Sequence, residues 1–240
     1  MVSINKIKVF EERHKALIIF AHMKLNTVIF DMDGLLIDSE PLWKEAAEAL
    51  FFTYGKQLTP QQYSSTTGLR TKEFLAHWFS YFSLPEADIA NAETIVVNDV
   101  IKLVQQKGKP MPGVHHIFNF FLERNFKIGL ASSSPIELIN LVVELLEIKN
   151  HLQAISSAAD LAYGKPHPEV YLNCAVKLAA MPAECICFED SFNGMIAAKA
   201  AKMKCVVVPS LHDSKNLAWE AADLKISTLL NFNGLLLDSL

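Results

Sequence analysis

The stretch F-D-M-D-G-L-L-I-D-S-E at residues 30–40 follows the apolar run Val28–Phe30 and holds two aspartates one residue apart. If the strand continued, Asp31 and Asp33 would point to the same side, about 6–7 Å apart along the chain. Two partly shielded charges at that distance repel by about 2–3 kcal/mol at an effective dielectric constant of about 20. A nearby cation, or a proton kept by one carboxyl, would relieve the repulsion. The stretch therefore predicts a functional site at the end of a buried strand, with a simple acidic turn as the alternative.

The composition is that of a globular protein with a substantial core. The chain has 240 residues, 51% of them hydrophobic, and a mean hydropathy of +0.21. Its 22 basic and 26 acidic residues give a net charge of −4, and no basic cluster favours nucleic acid or an anionic membrane surface. No apolar run approaches the roughly 18–20 residues of a membrane span. We therefore expect neither nucleic-acid nor membrane partners.

The cysteine pattern favours a reducing compartment. The four cysteines include no CxxC pair and no zinc-ligand spacing, and Cys185 and Cys187 lie within an apolar run. Buried free thiols are the expected state, and residues 1–23 lack the layout of a signal peptide. The sequence therefore predicts a cytoplasmic protein. Residues 1–23 are interpreted as an extension of doubtful function, with Met23 as an alternative start.

Strand-length apolar runs alternate with helix-like segments through most of the chain. Their continuous apolar character is typical of strands covered on both faces, as in a parallel sheet. The runs are Thr27–Phe30, Lys127–Ala131, Ala154–Ser156, Cys185–Phe188 and Cys205–Val208. Ser134 followed by Pro135 and Glu137 predicts a capped helix start after the second run. The alternation predicts an α/β fold with a doubly wound, mostly parallel, Rossmann-like sheet.

One interval, from about residue 42 to residue 107, contains no strand pattern. It contains three helical stretches, Trp43–Phe52, Thr71–Phe82 and Pro85–Gln106. We therefore predict an all-helical cap at residues 40–108, inserted into an α/β core formed by residues 24–39 and 109–240.

Polar residues occur where the predicted strands end. They are Asp31 and Asp33 after the first strand, Ser132 after the second and Glu189-Asp190 after the fourth, with Lys165 in a nearby turn. Because open α/β sheets bind ligands at the carboxyl ends of their strands, these side chains are expected to converge. Clustered carboxylates favour Mg²⁺, and a lysine with a hydroxyl favours a phosphate. Taken singly, each residue could instead be a strand-end cap, a solvated loop lysine or an acidic helix start.

Four motifs in this order resemble those of the haloacid dehalogenase superfamily of phosphohydrolases. The motifs are FDMDGLLIDSE (30–40), LASSSP (130–135), GKPHPEVY (164–171) and FEDSFNGM (188–195). The resemblance covers residues 26 to about 230, and the helical insert resembles the type 1 cap of that superfamily. The residues of these motifs are most similar to those of sugar-phosphate phosphatases of the 2-deoxyglucose-6-phosphate and hexitol phosphate type. The resemblance implies a Mg²⁺-dependent phosphatase that hydrolyses small sugar or polyol phosphate monoesters.

The resemblance also implies a role for each acidic residue. Asp31 is expected to be the nucleophile that forms an aspartyl-phosphate, and Asp33 the general acid and then the base. Asp31, Asp190 and the backbone carbonyl of Asp33 would bind Mg²⁺. Glu189 would hold a metal-bound water or support the ligands.

The remaining predicted site residues would bind the phosphate and the sugar. Ser132, the amide of Ser133 and Lys165 are expected to hold phosphate oxygens and neutralise charge. In the cap, Gly68 would allow close backbone approach. Arg70 would bond substrate hydroxyls, or would be an ordinary surface arginine.

Two alternatives to a phosphatase remain open. A β-phosphoglucomutase-like phosphotransferase shares every core motif, but such mutases place a His at the cap entrance where Trp43 stands here. Indole donates a hydrogen bond but neither accepts one nor titrates, so we expect the link across the hinge to be absent. Trp43 is counted among the substrate-binding residues, with a place in the core of the first cap helix as the alternative.

The other alternative is a phospho-aspartate signalling or binding protein. A monomer is expected.

Overall fold

A parallel sheet carries the polar strand ends in the computed structural model, which describes residues 24–240. The strands are β1 (Thr27–Phe30), β2 (Lys127–Ser132), β3 (Ala154–Ser157), β4 (Cys185–Glu189), β5 (Lys204–Val207) and β6 (Leu224–Lys225). They lie in the order β3-β2-β1-β4-β5-β6, and every neighbouring pair is parallel. The order reverses at β1, so the ligand-binding crevice is expected at its carboxyl end. The predicted doubly wound α/β fold is confirmed. The predicted extension at residues 1–23 lies outside the described residues.

Helices cover both faces of the sheet, and a group of four is inserted after β1. The helices are α1 (Glu40–Thr53), α2 (Pro60–Ser64), α3 (Thr71–Tyr81), α4 (Ile89–Lys107), α5 (Val114–Leu122), α6 (Ile136–Leu145), α7 (Glu169–Lys177), α8 (Phe192–Ala200) and α9 (Gly234–Asp238). Short 3₁₀ turns lie at Glu86–Asp88, Lys149–His151, Pro182–Glu184, Leu217–Ala221 and Leu229–Asn231. Within the described residues, no helix combines the length and apolar character needed to cross a bilayer.

Alternating residues of the central strand pack on opposite faces of the sheet. Phe30 belongs to one buried cluster, where its ring stacks on Phe118 of α5 with the centroids 5.0 Å apart. Ile29 belongs to the other cluster, together with Tyr171 of α7 and Met195 of α8. Because successive side chains of a strand point to opposite faces, a continuous apolar run is the pattern that such two-sided burial requires.

The chain enters and leaves the helical insert at adjacent points. Ile37 forms a bridge with Pro110, and the Asp38 amide donates to the Lys109 carbonyl at 2.9 Å. The two crossings thus form a short double connection between α1–α4, which we call the cap, and the core. The exact domain boundaries stay a prediction.

Three local features differ from the sequence-based expectation. Helix α6 begins at Ile136 after Pro135 and is not capped by Ser134, whose hydroxyl is used elsewhere. Strand β6 was not predicted, because two residues are too few to show a period. Helix α5 was also missed, because the apolar content of Val114–Leu122 leaves little polar face to reveal a helical repeat.

Candidate active site

A buried lysine and two carboxylates form the centre of the site. Asp31 directly follows β1, and Glu189 ends β4, the strand beside it. The Lys165 ammonium donates to Asp31 Oδ1 at 2.5 Å and to Glu189 Oε1 at 2.7 Å. Lys165 is only 2% exposed, so these ion pairs are shielded from water. The structure thus brings together Asp31, Lys165 and Glu189 from three separate motifs.

The centre carries more negative than positive charge. Oxygens of Asp31, Glu189 and Asp190 lie within 4.8 Å of one another, with the single ammonium of Lys165 against them. Burial raises the pKa of Asp31 above its ordinary range, and Lys165 offsets that only in part. Burial, then Asp31 and Glu189, raise the pKa of Asp190. Burial disfavours the charge of Lys165, but Asp31 and Glu189 outweigh it and raise the lysine pKa.

This excess charge fits a divalent cation. Among the buried side-chain atoms of the described residues, Asp190 Oδ1 has no hydrogen-bond partner, a costly state unless a ligand is bound there. The available donors are all carboxylate oxygens, which suit a hard cation such as Mg²⁺. Glu189 already accepts bonds from Lys165, Tyr171 and Ser191. Asp31 and Asp190 therefore offer the freest oxygens, and Glu189 fits a supporting role.

The second aspartate of the opening motif has a different environment. Asp33 Oδ1 accepts bonds from Ser39 Oγ at 2.7 Å and from Trp43 Nε1 at 2.8 Å. Its Oδ2 accepts from Ser134 Oγ at 2.7 Å and weakly from Ser132 Oγ at 3.4 Å. Its side chain is not part of the carboxylate cluster formed by Asp31, Glu189 and Asp190. Its carboxyl is therefore held by hydroxyl and indole donors and not by the lysine.

Two predictions about these donors are wrong. Trp43 does make a link between cap and core, because its indole N–H donates to Asp33; the prediction had excluded the link for lack of an acceptor. Ser134 is not a helix cap, because its hydroxyl donates to Asp33 and its amide to Ser132 Oγ at 3.0 Å. Both residues instead orient the predicted general acid.

Ser132 and Ser133 occupy different places at the end of β2. Ser132 is fully buried behind its bonds to Ser134 and Asp33. Ser133 lines a cavity beside Lys165, and its hydroxyl donates to the Gly68 carbonyl of the cap at 2.9 Å. The phosphate contacts of these serines stay a prediction.

The cavity, of about 70 Å³, lies between the cap and the core. Its core side includes Asp31, Asp33, Lys165, Asp190 and Ser133. Its cap side combines aromatic rings with hydroxyl groups, from Trp43, Tyr63, Phe74, Thr66, Thr67 and Thr71. Aromatic faces beside hydrogen-bonding hydroxyls suit a small polyhydroxy group, whose carbon skeleton is apolar and whose substituents are polar.

The cap loop before α3 approaches the core closely at Gly68. This residue has φ +83°, and a Cβ atom there would lie 2.5 Å from Ser191 Oγ. The Thr67 carbonyl next to it accepts a bond from Asn193 Nδ2 at 3.0 Å. A larger residue at position 68 would therefore push the loop away from the core.

Arg70 lies differently from the predicted contact with substrate hydroxyls. Its guanidinium is not part of the cavity wall and bonds to the core carbonyls of Ala158 and Leu161 and to Glu73. These bonds occupy both terminal nitrogens in the cap–core interface. The position of Arg70 thus favours cap docking over substrate contact.

Sequence reasoning missed two further site residues. Glu40, the last residue of the opening motif, lines the cavity, and burial, then Asp33 and Asp38, raise its pKa to about 7. Tyr171 is fully buried and donates its hydroxyl proton to Glu189. Both stand inside quoted motifs, so the motif letters themselves were the available signal.

Comparison with known proteins adds family evidence to this geometry. A family model described as haloacid dehalogenase-like hydrolase matches residues 28–208. Hexitol phosphatase B of Escherichia coli K12 is 38% identical over 204 residues, covering 84% of this chain and 91% of that protein. The phosphorylated carbohydrates phosphatase of Thermotoga maritima is 30% identical over 211 residues, covering 86% and 97%. The solved structure of a β-phosphoglucomutase from Clostridium difficile has a TM-score of 0.78 at 25% identity, covering 87% and 93%.

Proposed function

This chain belongs to the haloacid dehalogenase-like hydrolases, and we propose that it is a Mg²⁺-dependent phosphatase of small sugar or polyol phosphate monoesters. The different hydrogen-bond partners of the two neighbouring aspartates support this function most strongly. Asp31 is paired with Lys165, whereas Asp33 is held by neutral donors. A nucleophile and a separate acid–base group are what hydrolysis through a covalent intermediate requires. The names of the two phosphatase relatives support a phosphorylated sugar or polyol as substrate.

In the first step, Asp31 attacks phosphorus, and the bond from phosphorus to the ester oxygen breaks. Lys165 holds Oδ1 of Asp31, which leaves Oδ2 available for the attack. The leaving alkoxide takes its proton from Asp33. In the second step Asp33, now a carboxylate, removes a proton from a water molecule that attacks phosphorus. Inorganic phosphate leaves, and Asp31 is regenerated.

The hydrogen bonds to the two oxygens of Asp33 differ in kind. Trp43 Nε1–H can only donate, so Oδ1 must remain an acceptor. Ser134, at Oδ2, has a hydroxyl that can rotate and accept as well as donate. Of the two oxygens, Oδ2, on the side of Ser132 and Ser134, is thus the one whose neighbours can all accept a hydrogen bond.

Mg²⁺, held by Asp31 and Asp190 with Glu189 in support, would neutralise charge so that an anionic carboxylate can approach a phosphate. The chain's own contribution is to keep these oxygens and Lys165 in a buried site, where electrostatic interactions are stronger than in water. Cytoplasmic location and a monomeric state remain predictions.

Mg²⁺ should raise the melting temperature. Saturation at about 100 times Kd stabilises the native state by about 2.7 kcal/mol, or about 5–10 °C for a domain of this size. Asp190→Asn should lose most of this shift, and its metal-free melting temperature should not fall, because a like charge has been removed. Asp213→Asn, at an exposed aspartate, is the matched control. An equal Mg²⁺ shift in the Asp190 variant, or full activity after exhaustive chelation, would contradict the metal assignment.

Phosphatase and mutase should be separated by the fate of the phosphoryl group. We expect repeated turnovers with release of inorganic phosphate from a panel of hexose and hexitol phosphates. The measurement follows phosphate and sugar products together, and includes glucose 1-phosphate with a trace of the bisphosphate. Conversion of 1-phosphate to 6-phosphate without phosphate release would favour the mutase, which the structural similarity to a β-phosphoglucomutase keeps as the second candidate.

A further inference from the structure

A cap arginine is bonded to a core loop far away in the sequence. Arg70, which directly precedes α3, donates from Nη1 to the Leu161 carbonyl at 2.6 Å and to the Ala158 carbonyl at 3.2 Å. Both carbonyls belong to the loop that follows β3. Arg70 is only 8% exposed, so the contact is shielded from solvent. A buried charged group bonded to backbone oxygens is a specific contact, because removing either side leaves polar atoms unpaired.

Glu73 extends the same contact towards the catalytic lysine. Its Oε1 accepts from Arg70 Nη2 at 2.6 Å and from the Gly164 amide at 3.3 Å. Gly164 immediately precedes Lys165, whose ammonium reaches Asp31. The chain of contacts thus runs from the cap, through the Gly164 amide, to Lys165, whose ammonium bonds to the proposed nucleophile.

Gly164 allows the cap to come this close. A Cβ atom at Gly164 would lie 2.5 Å from Glu73 Oε2 and 2.6 Å from Arg70 Nε. Such separations are shorter than van der Waals contact, so even alanine would displace the pair or the loop. The fit is therefore between these cap side chains and a glycine of the core.

We propose that Arg70 and Glu73 form a latch that fixes the loop at residues 158–164, and through it Lys165, only when the cap is docked. This positioning role rests on the proposed function, because it assumes that Lys165 serves phosphoryl transfer. Undocking of the cap removes the Arg70 and Glu73 bonds from the loop. Lys165 is then correctly placed only after the substrate has been enclosed, which couples cap closure to chemistry.

The alternative is that Arg70 and Glu73 merely stabilise the start of α3, where the Arg70 amide also bonds to Glu73 at 3.3 Å. That role would lower the melting temperature of a variant but leave the activity of each folded molecule unchanged. The latch makes a different prediction, because it acts on the rate of the chemical step. The two roles are therefore distinguished by kcat and not by stability.

The test compares Arg70→Met, Arg70→Lys, Glu73→Gln and Gly164→Ala with the wild type, each corrected for the folded fraction. We expect kcat to fall about tenfold or more in the Met and Ala variants, with KM within about threefold, since tenfold corresponds to about 1.4 kcal/mol of barrier. Arg70→Lys, which keeps a donor, should recover part of the loss. Lys72→Met and Glu45→Gln are matched controls at exposed cap residues. Unchanged kcat in folded latch variants would overturn the proposal.

A double variant, Arg70→Met with Gly164→Ala, adds an internal check. If both residues act through one contact, the double variant should lose little more kcat than the worse single variant. Losses that multiply would show two independent lesions and would contradict the latch.

Hydrogen exchange gives a readout that does not depend on the proposed function. Arg70→Met and Glu73→Gln should speed amide exchange at residues 158–165, while exchange in β1 stays as in the wild type. Unchanged exchange in that loop would overturn the latch even if the wild type hydrolyses no phosphate ester. Faster loop exchange in the variants, together with a wild type that hydrolyses no phosphate ester, would support the latch and contradict the phosphatase function.

Discussion

Asp31→Asn should abolish turnover and leave the fold intact. The carboxamide has nearly the same shape but is a poor nucleophile, and it also removes a negative oxygen from the proposed metal site. Lys165 keeps its second partner, Glu189, so the buried ammonium is not left unpaired. We expect kcat to fall more than 100-fold, which corresponds to about 2.7 kcal/mol or more of barrier. Initial rates of phosphate release, with circular dichroism as the check on folding, measure this.

Asp38→Asn is the matched control for that variant. Asp38 stands in the same motif but is exposed, so its substitution should leave kcat within about twofold, as is usual for surface changes that cost less than 0.5 kcal/mol. Retention of more than about one per cent of kcat by the Asp31 variant, a barrier change below ~2.7 kcal/mol, would count against the nucleophile.

Asp33→Asn should slow both half-reactions by a smaller and substrate-dependent factor. A general acid–base group contributes about 10²–10⁴-fold, so a loss of that size is expected with an alkyl phosphate. The amide oxygen can still accept from Trp43, so the local structure should persist. With an aryl phosphate, the phenolate leaves without protonation by a general acid. The variant should therefore recover much of the rate of the first step with this substrate, but not the rate of the second. Release of the phenol and of phosphate are measured separately.

The two aspartate variants thus differ in how they respond to the leaving group. The Asp33 variant should release phenol faster than phosphate, because the missing base limits hydrolysis of the phosphoryl-enzyme. The Asp31 variant should gain nothing from the better leaving group. Rapid phosphate release from Asp33→Asn would remove the acid–base role.

The centre of the site was accessible from sequence because Asp31 follows β1, Glu189 ends β4 and Lys165 lies in the loop between β3 and the next helix. The carboxyl ends of parallel strands, and the loops that leave them, lie at one edge of the sheet, whatever the details of helix packing. Asp31, Lys165 and Glu189 therefore meet without any need to know how the helices are rotated. The five strands predicted from continuous apolar runs are also present, because a strand buried on both faces requires apolar residues at successive positions.

The contacts of the cap could not be predicted in this way. Glu73 and Gly164 are 91 residues apart, and their bond depends on how α3 is oriented against the core. The Trp43 bond to Asp33 likewise depends on the rotation of α1. Helical periodicity shows which face of a helix is apolar, but it does not show which core atom a polar side chain at the edge will reach. Arg70 was misjudged for this physical reason, whereas the Trp43 link was excluded because indole has no acceptor, although the Asp33 carboxylate needs only a donor.

Rapid acid quench during a single turnover, followed by mass spectrometry of the peptide that contains Asp31, detects the proposed aspartyl-phosphate directly. The wild type should show one phosphoryl group on Asp31 that appears with release of the alcohol and disappears as inorganic phosphate forms. The Asp31→Asn variant should show none. Phosphate release at the full rate with no phosphorylated peptide at any quench time, or a phosphoryl group on another residue, would contradict the mechanism.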